Sequence, residues 1–475
     1  MNFPRIKPIL FVILFFVVAK LFFFTKFMVV LWDESVYIGM GKFFYSLGSV
    51  GLFEPIRPVI LPLFLGFGWK LGLDVILFGK LLALFFSIAC IYLTYLLAKD
   101  FFGEKVALLS SIFLAITPIF FLSSIQVMTE VPSAVFGLLA VLFFVRKNSP
   151  WLVGFFCALC FLTKFPQGLL FPCLFIAYFF VYKRKKLLVS LSKFVVSFLL
   201  TVLPYLVFNF FMYKDVFYPF VSASVHQGNV VHKVFDGSLL SLFHNIFFYI
   251  VEPLMDNFLF VFLFFGLFFV FRKKLFRRFS IKTIFVILFF FLVYFSFLVN
   301  KQYRFSLVFL PFFAVLASFG FVELVKRIHR MRESRRRWFV FVFFVFVVVS
   351  LFFVLYKDVN LYSWRIGEES PIQKEFFRFF VDKDANCILT TDPVPVAYSN
   401  NLFIPYYDTI FVADKVYDEF SDRCDYIIYT PEPFPCEFFG SDCFEIKAGL
   451  FNKINSSKEL VFYNEYYGQP YYIFR

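Results

Sequence analysis

The sequence predicts a polytopic α-helical membrane protein, with about eleven spans plus interfacial helices, that carries a small extracytoplasmic α/β domain at its C-terminus. Three observations predict it. Of 475 residues, 61% are hydrophobic and 86 are phenylalanine, an apolar share beyond the roughly one half of soluble globular chains; mean hydropathy is +0.82. The apolar residues fall in long runs separated by short basic clusters. Charge also divides along the chain: residues 357–475 carry 11 Lys+Arg against 19 Asp+Glu, a net −8, whereas residues 1–356 carry 35 against 13, a net +22. The basic excess therefore belongs to the membrane part, where it reads as a positive-inside topology signal and not as a nucleic-acid surface. Two domains follow, 1–356 in the membrane and 357–475 in water. Phenylalanine serves like leucine as lipid-facing filler, so its excess points to no aromatic binding site.

At the start, Arg5 and Lys7 precede an apolar run from Ile9 to Leu31 that Lys20 and Lys26 interrupt. The run is long enough to cross about 30 Å at about 1.5 Å per residue, and no small-residue cleavage site precedes Trp32, so it reads as an uncleaved first helix with its N-terminus inside. Trp32-Asp33-Glu34-Ser35-Val36-Tyr37 then lies outside. Adjacent carboxylates at that level can act as a general base, bind a cation, or mark the helix end. Tyr37 to Leu47 has mixed helical periodicity. After Arg57-Pro58, the piece Val59 to Leu73 contains Pro62, Gly66, Gly68 and Lys70; it falls short of the roughly 17–25 residues of a spanning helix and reads as interfacial or re-entrant.

Topology turns on that piece. If it does not span, the runs Val75–Ala98, Val106–Ser123, Val131–Val145, Trp151–Thr163, Gly168–Tyr182, Phe194–Met212, Leu254–Phe271, Ile284–Val299, Ser306–Phe321 and Phe339–Tyr356 cross alternately. The basic clusters Arg146-Lys147, Lys183 to Lys186, Arg272 to Arg278 and Lys326 to Arg337 then all face the cytoplasm. If it spans, every one of them flips outside, against the positive-inside rule. The favoured solution places the chain in the plasma membrane with Asp33, Glu34, Arg57, Glu130, Lys164, Lys301, Arg304 and the C-terminal domain all external.

In the tail, Cys387–Thr390, Thr409–Val412 and Tyr426–Tyr429 read as strands between Asp-, Pro- and Asn-rich turns, and Ser370 to Phe380 as a helix opened by Ser370-Pro371. The tail's four cysteines, Cys387, Cys424, Cys436 and Cys443, allow one or two disulfides in that compartment, Cys436 to Cys443 closing the shortest loop.

Several charged groups on the outer face carry the chemistry. Glu130 opens a span, where a carboxylate suits a helix N-terminus and equally suits orienting an acceptor or binding a cation. Arg57, Lys164, Lys301 and Arg304 defy the positive-inside bias together, which an anionic ligand explains; phosphate is the anion most available at a membrane surface. His226 and His232 have an unspecific H-x5-H spacing and read as surface residues, and Cys157 with Cys160, inside an apolar helix, as small core residues. No phosphate-binding glycine loop or serine-hydrolase elbow occurs.

The order of these elements resembles the GT-C glycosyltransferases, in the subgroup of protein O-mannosyltransferases and aminoarabinose transferase-like enzymes. The resemblance rests on Asp33-Glu34 with Tyr37, Arg57-Pro58 then Leu61-Pro62-Leu63, Leu97-Ala98-Lys99 before Phe102-Gly103, Thr117-Pro118, and Thr129-Glu130. It continues through Gly154 to Lys164, Pro204 with Asn209, and Tyr303-Arg304 with Pro311. Two departures stand out: Pro58 is followed by Val59 where relatives often have a second proline, and Glu130 stands where they often have Asp. The resemblance implies a GT-C-like fold and transfer of one sugar from a polyprenyl-phosphate carrier to a protein, lipid or glycan acceptor outside the bilayer. By the same resemblance, Asp33 would be the general base, Glu34, Glu130 and Tyr37 would bind the acceptor, and Arg57, Lys164, Tyr303 and Arg304 would hold the donor phosphate. No cofactor is expected; a divalent ion shared by Asp33, Glu34 and Glu130 is conceivable but disfavoured by metal-independent relatives. The competing reading is a secondary transporter or lipid flippase that binds an anionic substrate at the outer face; against it, transporters put coupling charges near the midplane, in related halves.

Overall fold

The apolar runs fold into helices that break at prolines, glycines and basic turns. In the computed structural model, residues 7–23, 29–229, 238–298, 300–364, 370–407, 410–433 and 441–475 are described. The first helices in chain order are α1 (Pro8–Phe23), α2 (Trp32–Tyr45), α3 (Ile60–Lys70), α4 (Val75–Phe102), α5 (Glu104–Ala115), α6 (Pro118–Ser123), α7 (Glu130–Val145) and α8 (Pro150–Thr163). They continue as α9 (Leu170–Val181), α10 (Arg184–Tyr213), α11 (Tyr218–Asn229), α12 (Leu239–Asp256), α13 (Phe262–Arg272), α14 (Phe279–Phe297), α15 (Leu310–His329) and α16 (Glu333–Trp364). Pro118 and Pro150 open α6 and α8 where the missing N–H is no loss. Asp74 caps α4 by accepting from the Ile76 and Leu77 amides at 2.9 and 3.0 Å. Four described helices are long and apolar enough to cross a membrane, within Val75–Phe102, Arg184–Tyr213, Phe279–Phe297 and Arg335–Asn360; six further apolar helices are shorter.

Two compact units emerge, one of Met1–Thr25 with Leu82–Arg365 and one of Lys26–Leu81 with Ile366–Arg475. The first is all-helical. In the second, the segment after the first helix folds together with the C-terminal residues. There α17 (Pro371–Phe377), β1 (Ile388–Thr390), α18 (Val394–Tyr398), β2 (Phe403–Pro405), α19 (Ile410–Phe420), β3 (Tyr426–Tyr429), α20 (Ser441–Ser457), β4 (Leu460–Tyr466) and β5 (Gln469–Phe474) follow in order. The strands form one sheet, β2-β1-β3-β5-β4, parallel across β2-β1-β3 and antiparallel across β3-β5-β4. Its core is Leu389, Ile427, Tyr429 and Phe474 against Ala413 and Tyr417 of α19 and Leu450 and Ile454 of α20. Ser370 caps α17 in a reciprocal box with Gln373, as its Ser-Pro opening predicts.

The first loop is stitched to this sheet. Gly51 donates to the Asn401 carbonyl at 2.9 Å and accepts from the Phe403 amide at 2.7 Å. It does so at φ +97°, with space for a Cβ closed by the Gly39 carbonyl at 2.2 Å, so only glycine fits. Buried Lys42 of α2 donates to the carbonyls of Val396, Ala397 and Ser399 at 2.8–3.1 Å, satisfying the end of α18. Helices α2 and α3 cross where Gly41 faces Gly66: a Cβ on Gly41 would lie 2.6 Å from the Gly66 nitrogen.

Three expectations change. The run Ile9–Leu31 is not one helix: α1 ends at Phe23, residues 24–28 lie outside the described ones, and Asp33 and Glu34 fall in the first turn of α2 instead of at the end of a span. The helix dipole favours carboxylates there. Val106–Ser123 is broken at Thr117-Pro118, since Thr117 is extended (ψ 122°) ahead of a proline that cannot continue the amide ladder. Ile410–Val412 starts helix α19 instead of a strand: Ala413 and Tyr417, four apart, are both buried, a helical period that a four-residue window hides. Thr409 lies outside the described residues.

Candidate functional site

Asp33 occupies the first turn of α2, and its carboxylate meets Arg57 Nη1 at 2.8 Å with 15% of the side chain exposed. Arg57 also meets Glu54 through Nε at 2.7 Å, and its guanidinium carbon lies 5.7 Å from the centre of the Tyr37 ring. Desolvation of Arg57 is outweighed by Asp33 and Glu54, so its ionisation is pushed still higher and the guanidinium stays charged. The Tyr407 hydroxyl donates to the other Glu54 oxygen. The Tyr407 ring packs edge-on against Trp32, centroids 4.9 Å apart. Burial and the neighbouring Glu54 push the Tyr407 phenol well above its usual ionisation range, so it remains a donor.

Glu34 behaves differently from its neighbour. It is buried, takes both hydrogen bonds of a close ion pair with Lys80 Nζ (2.7 and 2.8 Å), and reaches back to the Leu31 amide at 3.1 Å. That contact caps α2 and ties its first turn to the start of α4. Of the residues expected from sequence, Asp33, Glu34, Tyr37 and Arg57 thus lie within one unit, with Asp33 and Arg57 in direct contact.

A second cluster lies in the helical unit. Glu130, at the first turn of α7 and nearly fully buried, meets Lys164 Nζ at 2.9 Å and Arg304 Nε at 3.5 Å. Lys164 sits between α8 and the 3-10 turn Phe165–Leu169, where Pro166 ends the preceding helix, and its ammonium lies 4.6 Å from the Phe305 ring centre. Arg304 is anchored to Gln302 at 2.6 Å and to Met128 Sδ at 3.6 Å. Glu130, Lys164 and Arg304 together carry one net positive charge, whereas Asp33, Glu54 and Arg57 carry one net negative charge. Tyr303 does not share the Glu130 contacts: its buried hydroxyl lies beside Asp256, and burial with that carboxylate pushes its ionisation well up. Lys301 is spent on the backbone, donating to the Phe295 carbonyl at 2.9 Å and to Ser296 at the end of α14. Burial lowers its pKa to about 8.

Sequence reasoning missed Glu54, Lys80 and Tyr407. Lys80 had a signal, a lone charge in an otherwise apolar run, and Glu54 stands one helical turn before Arg57; Tyr407 had none. His232 and the side chain of His226 lie outside the described residues. Cys157 and Cys160 are free and buried in α8, as expected of core residues. In the tail, Cys387 is bonded to Cys424. Cys443 is also disulfide-bonded, and Cys436 lies outside the described residues.

A family model described as dolichyl-phosphate-mannose-protein mannosyltransferase matches residues 56–208. No curated protein sequence matches the chain. Among solved structures, ArnT from Cupriavidus metallidurans bound to undecaprenyl phosphate superposes with a TM-score of 0.64 at 14% identity, over 97% of this chain and 97% of that one. The Archaeoglobus fulgidus oligosaccharyltransferase in complex with zinc and sulfate gives 0.56 at 14% identity over 88% of this chain and 68% of that one. AglB from Archaeoglobus fulgidus, in complex with an inhibitory peptide and a dolichol-phosphate, gives 0.54 at 12% identity over 98% and 74%. The chain therefore has the fold of the GT-C glycosyltransferases, and its residues 56–208 match the mannosyltransferase pattern within it.

Proposed function

We propose that the protein is an integral plasma-membrane glycosyltransferase. It moves one sugar, hexose or pentose, from a polyprenyl-phosphate carrier to an oxygen of a protein, lipid or glycan acceptor at the outer face, with inversion. The observation that carries the proposal is the Asp33 carboxylate, partly exposed yet fixed by Arg57 at 2.8 Å, in a chain with the GT-C fold. Asp33 takes the proton of the acceptor hydroxyl as its oxygen bonds to the anomeric carbon. The bond from that carbon to the phosphate oxygen breaks with its electron pair staying on the phosphate. Lys164 and Arg304, in the cluster with net positive charge, neutralise the charge that develops there. Arg57 already faces two carboxylates, so its better role is to orient Asp33. Glu34, buried against Lys80, positions the first turn of α2, and Tyr37, itself buried with its ring 5.7 Å from the Arg57 guanidinium carbon, is better placed to support Arg57 than to touch the acceptor.

The expected placement of the first loop and the C-terminal domain on the same side of the membrane gains support from the second unit. Residues of the first loop hydrogen-bond to the C-terminal domain, so both lie on one side of the bilayer and an even number of spans separates them. About eleven spans with the N-terminus inside satisfies that parity. The three carboxylates that could share an ion face cations of the chain, Asp33 with Arg57, Glu34 with Lys80, and Glu130 with Lys164, and chelation is expected to leave transfer intact.

The test is a transfer assay with purified protein and a panel of polyprenyl-phosphate sugars. Wild type is expected to release carrier phosphate and glycosylate an acceptor. Asp33→Asn is expected to bind the donor normally and lose about 10²–10⁴-fold in turnover. Undiminished transfer by Asp33→Asn removes Asp33 as base, and donor binding without turnover on any acceptor removes the enzyme reading.

A further inference from the structure

We propose that the helical unit carries a second anion site, for the phosphate headgroup of an anionic membrane lipid, in a cavity lined by the α7–α8 turn, the α9–α10 turn and the first turns of α10. The cavity measures about 800 Å³, and Lys147, Lys183, Lys185, Lys186 and Lys193 line it. That volume falls within the range of small-molecule sites. Helix dipoles do not decide its sign, because α8 and α10 begin there while α9 ends there; the five ammonium groups do.

Positive-inside bias accounts for lysines on this face but not for the gathering of five of them around one cavity. Some basic residues of the same unit are paired: Arg146 with Asp100, Lys273 and Lys326 with Glu323, Arg337 with Glu333. Among the described residues, none of the five cavity lysines forms an ion pair. Instead Lys147 lies over the Phe279 ring at 4.9 Å and Lys186 over Tyr182 at 5.4 Å, contacts that leave their N–H donors available to phosphate oxygens. Polar hydrogen-bonding groups, Asn148 and Ser149, border the cavity beside them.

The wall of the site selects a lipid over a free phosphate. Val181 and Val189 line the same cavity. Val189 is 54% exposed, and beside it on α10 Leu188 is 65% exposed, so apolar surface continues from the cationic cavity along an apolar helix. A phosphate ester with an acyl tail fits both surfaces, and inorganic phosphate fits only one. Basic pockets between membrane helices on the cytoplasmic side recognise headgroups in this way. The site is independent of the reaction proposed above, using none of its residues.

Native mass spectrometry of the full-length protein titrated with phosphatidylglycerol, phosphatidylcholine or inorganic phosphate tests it. Wild type is expected to retain one phosphatidylglycerol in preference to phosphatidylcholine, with inorganic phosphate unable to displace it at equal concentration. The triple variant Lys183→Gln, Lys185→Gln, Lys186→Gln is expected to weaken that retention roughly a hundredfold, at about fivefold per lysine, and Lys193→Gln alone about fivefold. The control triple Arg335→Gln, Arg336→Gln, Arg337→Gln, with the same loss of charge elsewhere, is expected to retain the lipid. Equal retention of the two lipids, displacement by inorganic phosphate, or equal loss in both triples overturns the assignment. The wild-type comparisons and Lys193→Gln keep the test decisive if the cavity triple does not fold.

Discussion

Arg57 joins Asp33 to Glu54, one guanidinium nitrogen 2.8 Å from the first carboxylate and another 2.7 Å from the second. A planar fork can hold two carboxylates at fixed angles, and a lysine ammonium on a flexible stem cannot. Arg57→Lys is therefore expected to lower kcat about 10- to 100-fold with the donor KM nearly unchanged, because the base is misplaced while the donor site is intact. A variant whose donor KM rises while kcat holds would return Arg57 to the phosphate.

Tyr407 extends that chain of contacts by one step. Its hydroxyl donates to Glu54 and its ring packs on Trp32. Tyr407→Phe removes the donor and keeps the ring. A hydrogen bond to a charged group is worth about 1.5–3 kcal/mol, so a roughly tenfold loss in kcat is expected from a slackened Glu54 and Arg57, with the unfolding temperature close to wild type. Tyr407→Ala is expected to lower that temperature as well, through lost packing. Steady-state kinetics beside thermal unfolding separates the two effects, and an unchanged kcat in Tyr407→Phe would confine the tyrosine to packing.

These relationships show what the sequence holds and what it hides. The helices follow from apolar runs bounded by Pro118, Pro150 and the basic turns, because membrane helices satisfy their backbone internally. Asp33 and Glu130 stand out because charge is rare in this chain, and Arg57, Lys164 and Arg304 because they defy the positive-inside bias in the topology expected from sequence. Pairing is another matter. Glu34 and Lys80 are 46 positions apart, Glu54 and Tyr407 are 353 apart, and only the folded chain shows that Glu34 is enclosed while Asp33 keeps an exposed edge. Strand β2 and the β4–β5 hairpin escaped for a simpler reason: β2 has three residues, and the burial of β4 alternates weakly, with no fully buried position.

The Glu34–Lys80 pair gives a stability prediction. Both side chains are almost fully enclosed, at 1% and 2% exposure. Removing one partner leaves a buried uncompensated charge, a cost of about 3–5 kcal/mol, so Lys80→Met alone is expected to lower the unfolding temperature sharply. Glu34→Gln with Lys80→Met removes both charges and is expected to recover most of the loss. Thermal unfolding of the single and double variants measures the coupling; additive losses would mean that the pair contributes nothing through its charges.

Lys164 and Arg304 offer the kinetic counterpart on the donor side. Each is expected to contribute a charge-assisted hydrogen bond to the carrier phosphate, so Arg304→Gln should raise the donor KM about tenfold or more. Lys164→Gln also removes the closer of two cations facing Glu130, which is only 3% exposed and keeps Arg304 at 3.5 Å, and the double variant Glu130→Gln, Lys164→Gln separates that structural cost from the loss of binding. A donor KM that ignores both variants would leave the net positive cluster without a role in the reaction.

Asp392 supplies a pH dependence whose sign can be worked out. It is buried in the C-terminal domain between β1 and α18, and its carboxylate accepts from the Val394 amide at 2.8 Å. Burial outweighs that hydrogen bond and, with Glu432 adding repulsion, raises its pKa from 3.8 to about 7. The folded domain thus holds this proton more tightly than the unfolded chain does. Between about pH 4 and pH 7 the unfolded chain has already released the proton, so stability from this group is fully present below about 4 and declines as pH rises through 7. The difference across the window is on the order of a few kcal/mol. Asp392→Asn keeps an oxygen for the Val394 amide and cannot ionise, so it is expected to match wild type at pH 4 and exceed it at pH 8. Amide exchange of β1 and β3, followed at both pH values in the full chain, reads the stability of this domain directly. Protection curves that stay parallel for the two proteins from pH 4 to pH 8 would show that Asp392 ionises in the fold as readily as it does in water.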